Sequence, residues 1–264
     1  MDLGLAGKVA LVTGASQGIG RAIALALSAE GCDLVLTSRR QEQLEDVANE
    51  VEKTGVQSHV VAADVTDPDA ARAILTGALD RFGRVDVVVN NAGKGSPKPM
   101  LELTDADWQH SFDLNFMSAV RLALAAVPHM KERGSGRIVN ISSRAGREPD
   151  PYFAPYAAAK AAMINFTKAL SNAFAGDGVL TNCVVPGLVR TPAIDDAAQR
   201  SSEATGKSID EVMELSIKKR GIPIGRIGEP DEIAALVTFL ASDQARWITG
   251  STFTIDGGTI RSAP

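Results

Sequence analysis

Short runs of apolar and β-branched residues alternate along the chain with longer stretches whose apolar residues recur every three or four positions. The short runs suit strands buried on both faces and the longer spacing suits amphipathic helices, so the alternation predicts βαβ units on a parallel sheet. Strands are predicted at 8–13, 33–38, 56–63, 85–90, 137–142, 180–185 and 252–255, seven in all. After the first strand and Gly14, a helix carries Ile19, Ala22, Ile23, Ala26 and Leu27 on one face and stops at Gly31. Further helices are predicted at 41–53, from Asp67-Pro68 to Phe82, at 105–130 and at 155–175, giving six or more with those of a later insertion. No Pro/Gly/Ser-rich linker divides the pattern, so 1–264 reads as a single α/β domain. One segment, 193–223, breaks the rhythm with room for one or two short helices and no strand. Connections of that length usually carry function, which makes a substrate lid one reading. The apolar face of Ile209, Val212, Met213 and Ile217 either closes over a cleft or packs on the body.

Composition narrows the class. With 264 residues, 45% hydrophobic and 22% charged, the chain is globular with a sizeable core, which excludes disorder and fibre. A net charge of −5 gives no footprint for nucleic acid or an anionic membrane. Cys32 and Cys183 each lie in an apolar run and read as buried, reduced thiols. The first residues lack a signal-peptide pattern and no apolar run is long enough to span a bilayer, so a cytoplasmic protein is expected. His59, His110 and His129 are too scattered for a metal site, and none is expected. Trp108 and Trp247 read as core or interface residues.

Candidate chemistry starts at the first strand–helix turn, TGASQGIG at 13–20. Gly14, Gly18 and Gly20 would let the backbone approach a diphosphate, with Ser16, Gln17 and Ile19 between them and the helix N-terminus offering unpaired amides. Glycines at such a turn also occur as plain turn residues. After the second strand, where a carboxylate would favour NAD(H), stand Ser38, Arg39 and Arg40. A hydroxyl and guanidiniums suit a 2′-phosphate, which favours NADP(H) over NAD(H), unless the arginines are a solvated pair. Tyr156 and Lys160, four residues apart, emerge on one helix face, where an ammonium would lower the phenol's pKa from roughly 10 toward neutrality. Ser143 follows the carboxyl end of the fifth strand, the sheet edge where parallel α/β folds place ligands.

Together with Asp64-Val65, NNAG at 90–93, Asn115, PGLVRT at 186–191 and ITGSTFTIDGG at 248–258, these motifs resemble the classical short-chain dehydrogenase/reductase family in order and over nearly the whole chain. The resemblance implies a Rossmann-type doubly wound sheet and hydride transfer between a nicotinamide and a carbonyl or secondary alcohol. By position, Tyr156 would be the general acid/base and Lys160 would tune it and bind the nicotinamide ribose. Ser143 would orient the substrate oxygen, in preference to Ser142, and Asn115 would hold a water linking Lys160 to solvent. Asp64 and Val65 would contact adenine; Asn91, Ala92 and Gly93 would flank the adenosine ribose; Pro186, Gly187, Val189 and Thr191 would line the nicotinamide.

The pattern is closest to 3-oxoacyl-carrier-protein reductase-like members. Alternatives are an NAD-linked sugar, steroid or other alcohol dehydrogenase, or a nucleotide sensor without turnover. Gln17 departs from relatives that place a basic residue there, leaving Arg39 to carry the NADP(H) preference. Tyr152 and Phe153 would line the substrate cleft or simply pack. The resemblance also implies a homo-oligomer, most often a tetramer, with Leu122, Val127, Phe166 and Leu170 as interface or core. A small carbonyl or alcohol substrate is the expected partner.

Overall fold

Seven parallel strands run through the centre of the computed structural model, which describes residues 2–262. They are β1 (Val9–Thr13), β2 (Asp33–Ser38), β3 (Ser58–Ala62), β4 (Val87–Asn90), β5 (Gly136–Ile141), β6 (Val179–Pro186) and β7 (Thr252–Ile255), in the spatial order β3-β2-β1-β4-β5-β6-β7. The register pairs Leu11 with Val35 on one side and with Val88 on the other. Alternation along β1 explains the two helical layers. Ala10 and Val12 face a core shared with α1 (Gly18–Ala29), α2 (Gln41–Glu52) and α9 (Pro230–Ala241). Val9 and Leu11 face a second core with α3 (Ala70–Phe82), α5 (Ser118–Glu132) and α6 (Ala154–Phe174). A strand buried on both faces needs this unbroken apolar run. The sheet is therefore the Rossmann-type, doubly wound one, in a single domain, and the strand order reverses between β1 and β4. Ligand crevices in such sheets open at the carboxyl ends of the strands flanking that reversal.

Several predicted elements change in the structure. The helix at 105–130 is three pieces: α4 (Asp105–Phe112), a π-helical turn at Asp113–Met117, and α5. The helix after Asp67-Pro68 starts only at Ala70, because the Asp67 carboxylate accepts the Asp69 amide at 2.9 Å and its carbonyl accepts the Ala70 amide, forming a turn first. Helix α9 had no place in the pattern reading, although Ile233, Ala234, Val237, Leu240 and Ala241 share a face behind a Glu229–Glu232 capping box. Trp247 is 97% exposed and is no core residue. Leu122, Val127 and Leu170 are buried in the domain's own core, with Phe166 packed beside them.

The 193–223 segment holds α7 (Pro192–Thr205) and α8 (Ile209–Arg220). Val212 and Met213 pack with Ala198, Ile222 and Ile227 in a small cluster separate from the two main cores. Both cysteines are buried and free. Among the described residues, no helix is long and apolar enough to cross a membrane, and no group of three or more metal-ligating side chains could hold an ion.

Candidate active site

The residues singled out in the sequence gather along the carboxyl edge of the sheet. At the end of β1, Gly14 and Gly18 take φ values of +66° and +55°, which favour glycine. Gly20 is required for another reason: a Cβ there would strike the Gly14 carbonyl and the Asn91 amide. The turn is braced from β4. The Thr13 hydroxyl accepts the amides of both Asn91 and Ala92 at 2.9 Å, and Asn91 Nδ2 donates to the Thr13 carbonyl at 2.9 Å. Thr13 is thus a hub that sequence reasoning passed over; its position just before the glycine turn was the signal. Gln17 caps α1 with extended backbone but without a side-chain bond, and no acidic residue occupies the first helical turn. The first amides of α1 and its positive dipole end face the glycine turn, a fitting seat for a diphosphate.

Arg39 follows β2 and pairs with Asp64 after β3 at 3.8 Å. Bonds from the Thr66 amide and hydroxyl to its carboxylate, with Arg39 adding to them, hold Asp64 below the usual carboxylate range against its slight burial. Gln17 Oε1 accepts Arg40 Nη1 at 2.9 Å, and the Ser38 hydroxyl accepts the Arg40 amide at 3.1 Å. A second guanidinium therefore stands beside Gln17, so Arg39 is not the lone cation at this end. The donor set of Ser38, Arg39 and Arg40 fits a phosphate monoester.

Deeper in the crevice, α6 delivers Tyr156 and Lys160 to one side of the helix, with Lys160 Nζ 5.8 Å from the centre of the Tyr156 ring. Lys160 is 2% exposed and donates to the Ile141 carbonyl at 2.8 Å. Tyr156 shares a side-chain hydrogen bond with Ser143, whose hydroxyl also accepts the Ala145 amide at 3.2 Å. Ser142 points the other way and donates to the Lys160 carbonyl at 2.7 Å, buried against α6. Burial pushes Lys160 down to about 8. Burial also raises Tyr156 above its ordinary value, opposed by the Ser143 bond. The expected pull of the ammonium toward neutrality is not what sets the phenol here: its shift is upward, from burial, with the Ser143 bond opposing it.

Asn115 sits in the π-helical turn and is fully buried. Its Oδ1 accepts the Lys94 amide at 2.9 Å, and its Nδ2 donates to the Lys94 carbonyl at 3.1 Å and the Ser111 carbonyl at 3.0 Å. Gly93 lies between this amide and Lys160: a Cβ would come within 2.7 Å of Asn115 Oδ1 and 3.1 Å of Lys160 Nζ. π-turns interrupt the regular helical bonding and recur at functional sites.

The opposite wall follows β6. Pro186 ends the strand, and Gly187 packs so closely on Asp256 that a Cβ would lie 2.7 Å from its Cα. A parallel bridge joins Val189 to Gly228 through the Leu188 carbonyl and the Arg190 amide, so the amide and carbonyl of Val189 point away from Gly228. Thr191 caps α7 beside Gly18, across from the glycine turn. Val65 is partly buried against the second core. Phe153 and Tyr156 both flank Gly95, whereas Tyr152 is 56% exposed.

Known proteins resemble this chain along nearly its whole length. The short chain dehydrogenase family pattern matches residues 8–202. The 3-oxoacyl-[acyl-carrier-protein] reductase of Synechocystis sp. is 37% identical over 258 residues, covering 97% of this chain and 98% of the relative. The L-sorbose reductase of Gluconobacter frateurii, solved with NADPH and L-sorbose, superposes with a TM-score of 0.97 at 36% identity over the full length of both chains. An actinorhodin polyketide ketoreductase variant solved with NADPH gives a TM-score of 0.90 at 35% identity, covering 97% of this chain and 98% of the other.

Proposed function

The chain belongs to the short-chain dehydrogenase family, and from that premise we propose that it reduces a ketone to a secondary alcohol at the expense of NADPH, in the manner of 3-oxoacyl-carrier-protein reductases. The observation that carries this reading is the convergence of Ser143, Tyr156 and Lys160 at the sheet edge where the glycine turn opens. NADPH, when bound, supplies the hydride. Gly14, Ser16, Gln17, Gly18, Ile19 and Gly20 would seat its diphosphate, and Ser38, Arg39 and Arg40 its 2′-phosphate. Asp64 and Val65 would border the adenine, and Asn91, Ala92 and Gly93 the adjoining ribose. Pro186, Gly187, Val189 and Thr191 would line the nicotinamide, with the free-facing backbone of Val189 suited to a carboxamide.

The chain's own work is proton transfer and placement. Ser143 donates a hydrogen bond to the carbonyl oxygen and fixes it beside the Tyr156 hydroxyl. Because burial keeps its proton on, Tyr156 is a donor at neutral pH, the role reduction requires. Lys160 holds positive charge near the phenol and would bind the nicotinamide ribose hydroxyls. Asn115 fixes the Lys94 backbone, and a water held there would connect Lys160 to solvent. Helices α7 and α8, packed in a cluster of their own, form the lid over the substrate. Exposed apolar residues such as Leu124 and Trp247 support assembly into a homo-oligomer, with a tetramer as the family's usual form. The two free thiols suit the cytoplasm.

The test is NADPH consumption against a ketone panel that includes an acetoacetyl thioester and L-sorbose. Tyr156→Phe removes the proton donor and lowers kcat by about 10²–10⁴-fold with NADPH affinity kept. Undiminished turnover in Tyr156→Phe would overturn the assignment.

A further inference from the structure

Beyond the NNAG segment at 90–93 stands a further glycine, Gly95, whose φ lies outside the left-handed region. Backbone conformation therefore does not call for glycine there. Space does. An added Cβ would lie 2.9 Å from Phe153 Cδ1 and 3.3 Å from Tyr156 Cγ, the base of the phenol ring. Contacts that short admit a methyl group only where a neighbour gives way.

The neighbouring backbones are held. Asn115 accepts the Lys94 amide at 2.9 Å and donates to its carbonyl at 3.1 Å, which pins one end of the segment. At the other end the Lys98 amide donates to the Tyr152 carbonyl at 2.8 Å, and its ammonium donates to Asp107 at 2.7 Å. Pro97 stiffens the chain between those pins. Helix α6 is fixed from its other side. Ser142 donates to the Lys160 carbonyl at 2.7 Å, and Gly146 packs so closely that a Cβ there would lie 2.7 Å from the Lys160 carbonyl carbon. Phe153 follows Tyr152, whose carbonyl is bound to the same segment, and its own amide donates to the Asp150 carbonyl at 2.9 Å. With these backbones fixed, a methyl at Gly95 is accommodated by turning the two rings off their preferred rotamers. Turning Tyr156 carries its hydroxyl away from Ser143.

We propose that Gly95 is a positioning residue for proton transfer: its bare backbone and the Phe153 ring form the slot that keeps the Tyr156 hydroxyl on Ser143. This rests on reading the crevice as a carbonyl reductase site. The hydroxyl lies at the far end of the ring from Gly95, so a small tilt at the base becomes a larger displacement there. Misplacing a reacting group by a fraction of an ångström is costly in rate.

The test is a double-mutant cycle between Gly95 and Phe153 on the full-length protein. Gly95→Ala should lower kcat by about 10-fold, counted per NADPH-binding site, with NADPH affinity kept within about twofold. In the Phe153→Ala background, where the obstructing ring atoms are gone, the same substitution should cost about twofold or less. A purely structural loss would change the number of NADPH-binding sites and spare kcat per site. A second readout needs no turnover. The chain has two tyrosines, so 3-fluorotyrosine gives two fluorine NMR resonances, and Tyr152→Phe identifies the one from Tyr156. Gly95→Ala should displace that resonance when Phe153 is present and leave it in place when Phe153 is alanine.

A kcat like that of the parent, or an unmoved Tyr156 resonance, in Gly95→Ala would overturn the proposal. Equal effects of Gly95→Ala in both backgrounds would also overturn it. If Gly95→Ala does not fold, Gly95→Ala/Phe153→Ala should fold; failure of both places the obstruction elsewhere and sinks the slot. A displacement relieved by Phe153→Ala, in a protein that reduces no ketone, would sink the reductase reading and leave the slot standing. Ketone turnover without displacement would do the reverse.

Discussion

Lys160 is the residue whose environment makes the sharpest demand. Its ammonium is nearly buried, bonded to the Ile141 carbonyl, and pushed down to about 8 from an ordinary value of 10.5. Between those two values the unfolded chain holds a proton that the folded chain has released, so stability should rise with pH across that window. The buried thiols act oppositely: Cys183 is raised to about 11 and Cys32 to about 12, so each lowers stability once pH climbs above the ordinary thiol value. Lys160→Met keeps both thiols and removes the ammonium. Urea unfolding at about pH 7.5 and about pH 9 should show the parent gaining about 1 kcal/mol relative to Lys160→Met over that interval. A difference that stays flat or shrinks would mean that Lys160 keeps its proton in the fold. What the sequence disclosed at this scale was the face shared by Tyr156 and Lys160, a consequence of helical spacing. The Ile141 bond and the upward shift of Tyr156 were hidden because both depend on how deeply α6 is sunk against β5.

At the scale of elements, the glycine turn and the π-turn are the two devices that hold the site open. Gly20 lies against the Gly14 carbonyl and Asn91, so a methyl group there must move backbone. Gly20→Ala should cost about 2–3 kcal/mol, in line with overpacking, and weaken NADPH binding by more than about 10-fold through displacement of the diphosphate seat. Gly176→Ala is the matched control: nothing lies within 4 Å of its position, and the change should stay within about 1 kcal/mol. Thermal unfolding and NADPH fluorescence titration of both variants check this; equal effects would remove the packing explanation. The glycine turn could be read from the sequence because it stands at the first strand–helix junction of an alternating chain, where a parallel sheet opens its crevice. The π-turn could not, since Asp113–Met117 continues the apolar rhythm of its neighbours, and one extra residue in a turn leaves no mark in composition. Phe116 gives the wider turn its packing: its ring meets Phe112 and Phe166 edge-on at 6.2 and 5.9 Å. Helix α9 escaped for a different reason: its apolar face of Ile233, Ala234, Val237, Leu240 and Ala241 follows directly on a long insertion, outside the strand–helix alternation that marks the other elements.

For the whole molecule, strand count and parallel packing followed from the unbroken apolar runs, but strand order did not, because every buried strand looks alike along the chain. Order is what brings the carboxyl ends of β1, β4 and β5 together. It thereby sets the glycine turn, the NNAG segment and Ser143 around one crevice. The central claim is that this crevice passes a hydride to a carbonyl carbon while Tyr156 passes a proton to its oxygen. The most direct measurement supplies NADPH deuterated at the transferable position of the nicotinamide, with a ketone the protein accepts, and examines the alcohol by mass spectrometry and NMR. The account predicts one deuterium on the carbinol carbon from the parent protein and almost none from Tyr156→Phe over the same time. Tight NADPH binding with no labelled alcohol, or equal labelling from both proteins, would contradict it.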